Sequence, residues 1–236
     1  MSSLNFYSEP TALNREEHKD LAFTVSNDFS FTSKINSVPV TGIEFFEASR
    51  DMPILFSKDE KGNYFPIALL SLMNESHNFL EEDGSWSEAY QPAFIRRYPF
   101  VLTDEGTVCF DAKAAHFTAE ANESTQTLFD EKGENTKALN NAIQFLNAFN
   151  EQHKQTTEFC EQAKQLDIFK PLNIKVNIEK SGPLALNGMF CIDEKKLGEL
   201  SEEVVIKWFK SGWIAWSYAH LHSIGALKRL LKRQSA

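Results

Sequence analysis

The segment Tyr90 to Asp111, YQPAFIRRYPFVLTDEGTVCFD, constrains the fold more than any other stretch. Pro92 and Pro99 fix φ at two points and hold Gln91 and Tyr98 before them in extended geometry, so Ala93 to Arg97 has room for a short turn of helix at most. Beyond Pro99, Phe100 to Leu102 and Thr107 to Phe110 read as two strands. Asp104-Glu105-Gly106 joins them, with the glycine available for a positive φ.

With 236 residues, 42% of them hydrophobic and 24% charged, the chain has the balance of an ordinary globular protein and enough length for one large domain. Phenylalanine, at 20 copies, is the outlier, and so many rings supply a wide core with some left for a partner surface. A formal net charge of −9 argues against general nucleic-acid binding, which needs a concentrated positive field. Cys109, Cys160 and Cys191 are odd in number and far apart, with no CxxC pair, and are expected to be reduced and mostly buried. The start MSSLNFYSEP has no basic region followed by an apolar one, and no later run approaches a membrane span, so a cytoplasmic location is expected.

Residues 1–20 are polar and turn-prone at Glu9-Pro10, which suggests a loosely docked arm anchored by Leu4, Phe6 and Leu13. Residues 21–236 then read as one domain. Leu21 to Val25 and Phe29 to Phe31 look extended, and Val38-Pro39-Val40 looks like a strand that ends at a helix cap. Thr41-Gly42-Ile43-Glu44 has the spacing of a capping box, opening a short helix to about Arg50 that stops before Met52-Pro53. Pro53 to Ser57 and Tyr64 to Leu72 suggest a second hairpin, with Pro66 predicting an edge strand or a break.

Residues 112–134 turn polar, with Phe117, Leu128 and Phe129 as anchors of a long connection. From Thr136 to about Leu166, apolar positions recur at spacings of three and four, which predicts a long amphipathic helix. Leu172 to Glu179 and Leu184 to Ile192 form a third hairpin around Lys180 to Pro183. Ser201 is a natural N-cap, Glu202 and Glu203 suit the helix N-terminus, Leu200 is placed to staple against Val205, and Gly212 ends or kinks that helix. A second helical run follows from Trp213 to Leu231. The fold class read from this order is α+β: antiparallel strands and hairpins packed against one long helix and the C-terminal helices.

Several of these residues together make the chain similar to the SapC family of bacterial proteins over nearly its whole length. The likeness rests on Pro39-Val40-Thr41, on Tyr90 to Phe100 with its Arg96-Arg97-Tyr98-Pro99-Phe100 core, and on Leu128-Phe129-Asp130. Gly188 to Lys196 before Leu197 and Tyr218-Ala219-His220-Leu221 extend it. The resemblance implies an intracellular bacterial protein encoded beside flavin-dependent halogenase-like proteins, cupin-like proteins and outer-membrane receptors. It brings no catalytic motif with it.

No GxSxG, P-loop or GxGxxG occurs, so neither acyl transfer nor a nucleotide cofactor has support, and no cofactor is expected. His220 and His222 are two apart on a helical run and point in different directions, whereas helical metal ligands need a spacing of three or four. Asp193 and Glu194 read as acidic caps, and Lys228 to Arg233 as a basic helix end that suits the dipole.

Arg96 and Arg97 carry the binding hypothesis. With Tyr98 beside them and Trp86 and Tyr90 nearby, the guanidiniums suit a planar anion or a carboxylate-bearing partner; the alternative is an internal ion pair with one of the 33 acidic residues. The function expected is that of a non-catalytic accessory protein that binds another protein, halogenase-like or cupin-like neighbours among the candidates. The alternative is an enzyme or small-molecule binder with an anion site around Trp86 to Tyr98.

Overall fold

The computed structural model describes residues 6–73, 77–118, 125–178 and 182–235. In chain order its elements begin with β1 (Pro10–Ala12), β2 (Ala22–Phe23), β3 (Ser37–Pro39), α1 (Phe45–Ser49), β4 (Ile54–Lys58) and β5 (Tyr64–Leu69). Next come α2 (Ala93–Arg96), β6 (Phe100–Leu102), β7 (Val108–Asp111), β8 (Phe117–Thr118), β9 (Gln126–Thr127) and α3 (Lys137–Gln165). The chain ends with β10 (Phe169–Ile178), β11 (Gly182–Ile192), α4 (Glu194–Gly198), α5 (Glu202–Lys210), α6 (Trp213–Ser223) and α7 (Leu227–Ser235). The α+β reading holds, because antiparallel sheets and helices share a core within one unit.

A five-stranded antiparallel sheet in the order β10-β11-β4-β5-β3 joins strands from both halves of the sequence. Its seam lies between β11 and β4, where Phe190 stands opposite Phe56. At the next antiparallel position, Ile192 facing Ile54, the imidazole of His220 from α6 takes the place of a rung. Its Nε2 accepts the Ile192 N–H at 3.1 Å, and Nδ1 donates to the Ile54 carbonyl at 2.8 Å. Ser223, one turn later on α6, accepts the Ile54 N–H at 2.9 Å. A helix thereby satisfies backbone groups that a direct ladder would otherwise have paired.

The long helix begins where the sequence places it, with the Thr136 hydroxyl accepting from the Leu139 N–H at the start of α3. Its buried stripe serves two cores in succession. Leu139 and Leu146 pack with Phe100, Phe110, Leu128 and Phe129, whereas Phe149, Phe159, Cys160 and Ala163 pack with the main sheet. Phe159 is fully buried, with Trp208, Trp213 and Trp216 at ring-centroid distances of 5.5, 6.0 and 5.7 Å. The hairpin after Pro99 forms as β6 and β7, with Gly106 at φ 86°, and β1 pairs with the outer edge of β7.

Several local expectations are corrected. β5 is an interior strand, but Pro66 is tolerated because its carbonyl, and so its missing N–H, points to the β3 side just beyond Pro39, where β3 ends and the Pro66 carbonyl receives the Val40 N–H at 3.2 Å. The helical run from Trp213 breaks into α6 and α7 across a 3-10 turn at Ile224–Ala226. Val204, not Val205, packs inward on α5, and Val205 is exposed. Ser30–Thr32 is a 3-10 turn rather than a strand.

The N-terminal arm is held more closely than expected over its described part: the Tyr7 hydroxyl donates to the Phe100 carbonyl at 2.7 Å, and the Ser8 and Glu9 N–H groups reach the Asp111 carboxylate. Leu4 lies outside the described residues. The connection from Ala112 contributes β8 and β9, which flank β2 in a small sheet. All three cysteines are free and buried.

Candidate functional site

At the end of β3 the chain enters a 3-10 turn, Gly42–Glu44, that leads directly into α1. The capping-box spacing puts the Glu44 carboxylate back over the turn's own start. Its Oε2 accepts the Thr41 N–H at 2.7 Å and the Thr41 hydroxyl at 2.8 Å. Its Oε1 reaches across to another part of the chain, accepting the Tyr90 hydroxyl at 3.0 Å and the Ala93 N–H at 2.7 Å. Ala93 is the first residue of α2, so a buried carboxylate satisfies an amide that the helix itself cannot, at its positive end. Asp51 fixes the same loop by accepting the Tyr90 N–H at 2.8 Å.

Between this turn, α2 and α3 lies an open cleft of about 250 Å³. Ile43, Ala93, Phe145, Ala148 and Phe149 give it an apolar lining, and Thr41, Glu44, Glu47, Tyr90, Arg96 and Gln152 supply its polar groups. The Arg96 guanidinium lies 5.3 Å from the Phe145 ring centroid and 5.9 Å from that of Tyr90. Its Nε donates to the Gln91 carbonyl at 3.1 Å, and Nη2 approaches the Tyr90 hydroxyl at 3.4 Å. Burial, followed by the Glu44 carboxylate, pushes the Tyr90 phenol above its ordinary pKa. The hydroxyl is therefore a proton-bearing donor to Glu44 across the physiological range.

The five residues singled out in the sequence separate in space. Tyr90 and Arg96 meet at the cleft. Arg97 points the other way, only 5% exposed, with its guanidinium 4.0 Å from the Phe94 ring centroid, 4.9 Å from Phe149 and 5.9 Å from Tyr7. The internal ion pair considered for the two arginines is absent: among the described residues neither forms one, and Nε and Nη2 of Arg97 have no hydrogen-bond partner. Aromatic faces take the place of a counter-ion. Burial lowers the pKa of this guanidinium and pushes the Tyr7 phenol up to about 12.

Tyr98 stacks on Phe31 at 4.1 Å and donates to Asp111 at 3.1 Å, and Trp86 stacks on Phe79 at 5.8 Å. Neither reaches the cleft. Burial alone would raise the pKa of Asp111, but the N–H groups of Ser8, Glu9 and Lys113 and the Tyr98 hydroxyl hold it below the usual carboxylate range. The sequence reading missed Ile43, Phe145 and Phe149 as cleft residues. Glu44 was visible as a cap but not as the link to Tyr90 and Ala93.

The sequence model of the SapC family matches residues 13–230. The chain belongs to the SapC family. No curated protein and no solved structure matches. In this SapC chain the residues behind the resemblance fall at structural joints: Thr41 at the cleft turn, Arg96 and Arg97 on opposite sides of α2, and His220 in the sheet seam. Leu128 of the SapC sequence is fully buried, and Asp193 caps α4 by accepting the Lys195 N–H at 3.1 Å.

Each oxygen of Glu44 already accepts two hydrogen bonds, so the carboxylate is occupied with holding the turn to α2. Among the described residues no three His, Cys, Asp or Glu side chains converge as a metal site would require. Arg96 is the cleft's positive group with a face toward solvent.

Proposed function

We propose that this SapC-family chain is a non-catalytic accessory protein of the bacterial cytoplasm that binds another protein through the surface formed by the 42–46 turn and the adjoining cleft. The observation carrying this reading is the exposure of Ile43 at 60% and Phe46 at 55%, next to Glu44 and Phe45, which are buried at 4% and 0%. The buried pair fixes the turn rigidly, and the exposed pair, three residues apart on it, presents apolar surface whose desolvation favours association. Rigid presentation lowers the ordering cost of binding. Halogenase-like and cupin-like proteins are the first candidates for the partner.

The test compares capture by wild-type protein with capture by an Ile43→Asp/Phe46→Asp variant, both confirmed folded by unfolding midpoint. Partners bound by the wild type and lost from the variant are expected. Equal recovery of every partner by the two proteins would sink this reading. A small anionic ligand at Arg96 is the competing reading, favoured by the cleft itself, and mass spectrometry of the purified protein for retained small molecules distinguishes it.

A further inference from the structure

Deepening that reading of the same surface, the geometry points to the chemistry of the partner: a segment that places a carboxylate beside an apolar side chain, the apolar group entering the cleft and the carboxylate meeting Arg96. Charge accounting at the cleft carries this. Glu44 accepts four hydrogen bonds, and Glu47 pairs with Arg50 three residues on. Arg96 pairs with no acidic side chain among the described residues. The Glu44 charge is held by neutral donors and buried at 4% exposure, so the unpaired charge that faces solvent at the mouth is the positive one of Arg96.

The arginine is also held in place. Its guanidinium lies beside the Phe145 and Tyr90 rings, and Nε is tied to the Gln91 carbonyl, so less side-chain entropy remains to be lost when a carboxylate docks. The remaining guanidinium edge is available for a forked, charge-assisted contact, which is the geometry carboxylates match.

The size of the cleft selects a side chain over a whole small molecule. At about 250 Å³ it falls below the roughly 300–1,000 Å³ typical of pockets that enclose drug-sized ligands. Its floor of Ala93, Phe145, Ala148 and Phe149 suits an aliphatic or aromatic anchor. Ile43 lines the cleft and is exposed, so an occupant extending from it would also cover the turn that carries Phe46. A buried apolar anchor beside an arginine is the composition found at interface hot spots.

Displayed random peptides, selected against the full chain and again against its Arg96→Glu variant, test the proposal. Wild type should enrich Asp or Glu next to a large apolar residue. The best such synthetic peptide should bind Arg96→Glu about 10- to 100-fold more weakly, the range expected from losing a hydrogen-bonded charge contact. The reversed variant should instead enrich Lys or Arg beside the same apolar residue. Selected peptides without an acidic residue, or with affinity unchanged by Arg96→Glu, would overturn the proposal. So would selection of no peptide while phenylacetate, a free carboxylate on a ring, binds and is lost on Arg96→Glu. Failure here is separable from failure of the broader reading: partner capture lost in Ile43→Asp/Phe46→Asp but retained in Arg96→Glu leaves protein binding standing and removes the acidic segment.

Discussion

Glu44 accepts the backbone N–H of Ala93 at 2.7 Å across 49 residues of chain. The same carboxylate closes its own turn through Thr41, so one buried side chain sets the spacing between α1 and α2 and hence the width of the cleft. Because the donors are two amides and two hydroxyls, a neutral amide side chain is a poor substitute: its NH₂ group would face donors.

Glu44→Gln is therefore expected to lose about 2–4 kcal/mol, as buried donors lose a charged acceptor. Tyr90→Phe should lose less, because the Ala93 and Thr41 contacts remain. Urea unfolding of both single variants and the double variant measures the coupling. Strictly additive losses would show that Glu44 and Tyr90 do not share one network.

Arg97 makes a different prediction. A buried guanidinium without a carboxylate partner is costly to desolvate, so Arg97→Met, which keeps the packing against Phe94 and Phe149, should change stability by less than about 1 kcal/mol or raise it. Arg97→Ala opens a cavity and should lose about 2–4 kcal/mol. A loss for the methionine variant as large as for alanine would mean that the charge itself is needed.

His220 predicts a pH dependence. It is fully buried, and burial lowers its pKa from 6.5 to about 4, with the hydrogen bond to the Ile54 carbonyl opposing the shift. As pH falls through 6.5 the unfolded chain takes up a proton that the folded imidazole refuses. The His220 contribution to stability should therefore decline by about 3 kcal/mol between pH about 6.5 and about 4 and level off below, where both states are protonated. His77, lowered to about 4 by burial, acts in the same sense. His220→Gln should be less stable near neutral pH, with the gap to wild type narrowing on acidification. A gap constant over the whole range would refute the assignment.

Gly42 is required for lack of space: a Cβ there would overlap the indole of Trp216, while its N–H donates to the Thr156 hydroxyl at 2.8 Å. Gly42→Ala is expected to lose about 1–3 kcal/mol by overpacking. Trp216→Leu should recover part of that loss in the double variant; no recovery would point to the backbone instead.

What could be read in advance follows from range. The α3 stripe, the β10–β11 hairpin, the 41–44 cap and the turn at Gly106 depend on neighbours within a few residues, and the sequence displays those neighbours directly. Arg96 and Arg97 show where this ends. Adjacent in sequence and chemically identical, they differ only in which side of α2 meets Tyr7 and which meets the cleft, which tertiary packing decides. Pro66 misled for the same reason, since only the length of β3 reveals that the missing donor falls beyond its partner. Glu44 was half legible: the reach-back to Thr41 is local, whereas Tyr90 and Ala93 arrive from another part of the chain.

The imidazole rung has a consequence for how the protein must be made. Ile54 emerges during synthesis 166 residues before the His220 that will bond its carbonyl, and β11 also follows late. Until both have been translated, the β3-β5-β4 sheet grows with the open edge of β4 carrying unpaired backbone groups, a template for strand pairing with other nascent chains. Chains cut short before α6 and tethered to stalled ribosomes by a linker long enough to clear the exit tunnel should therefore cling to holdase chaperones, and chains that run past Ser223 on the same linker should be released from them.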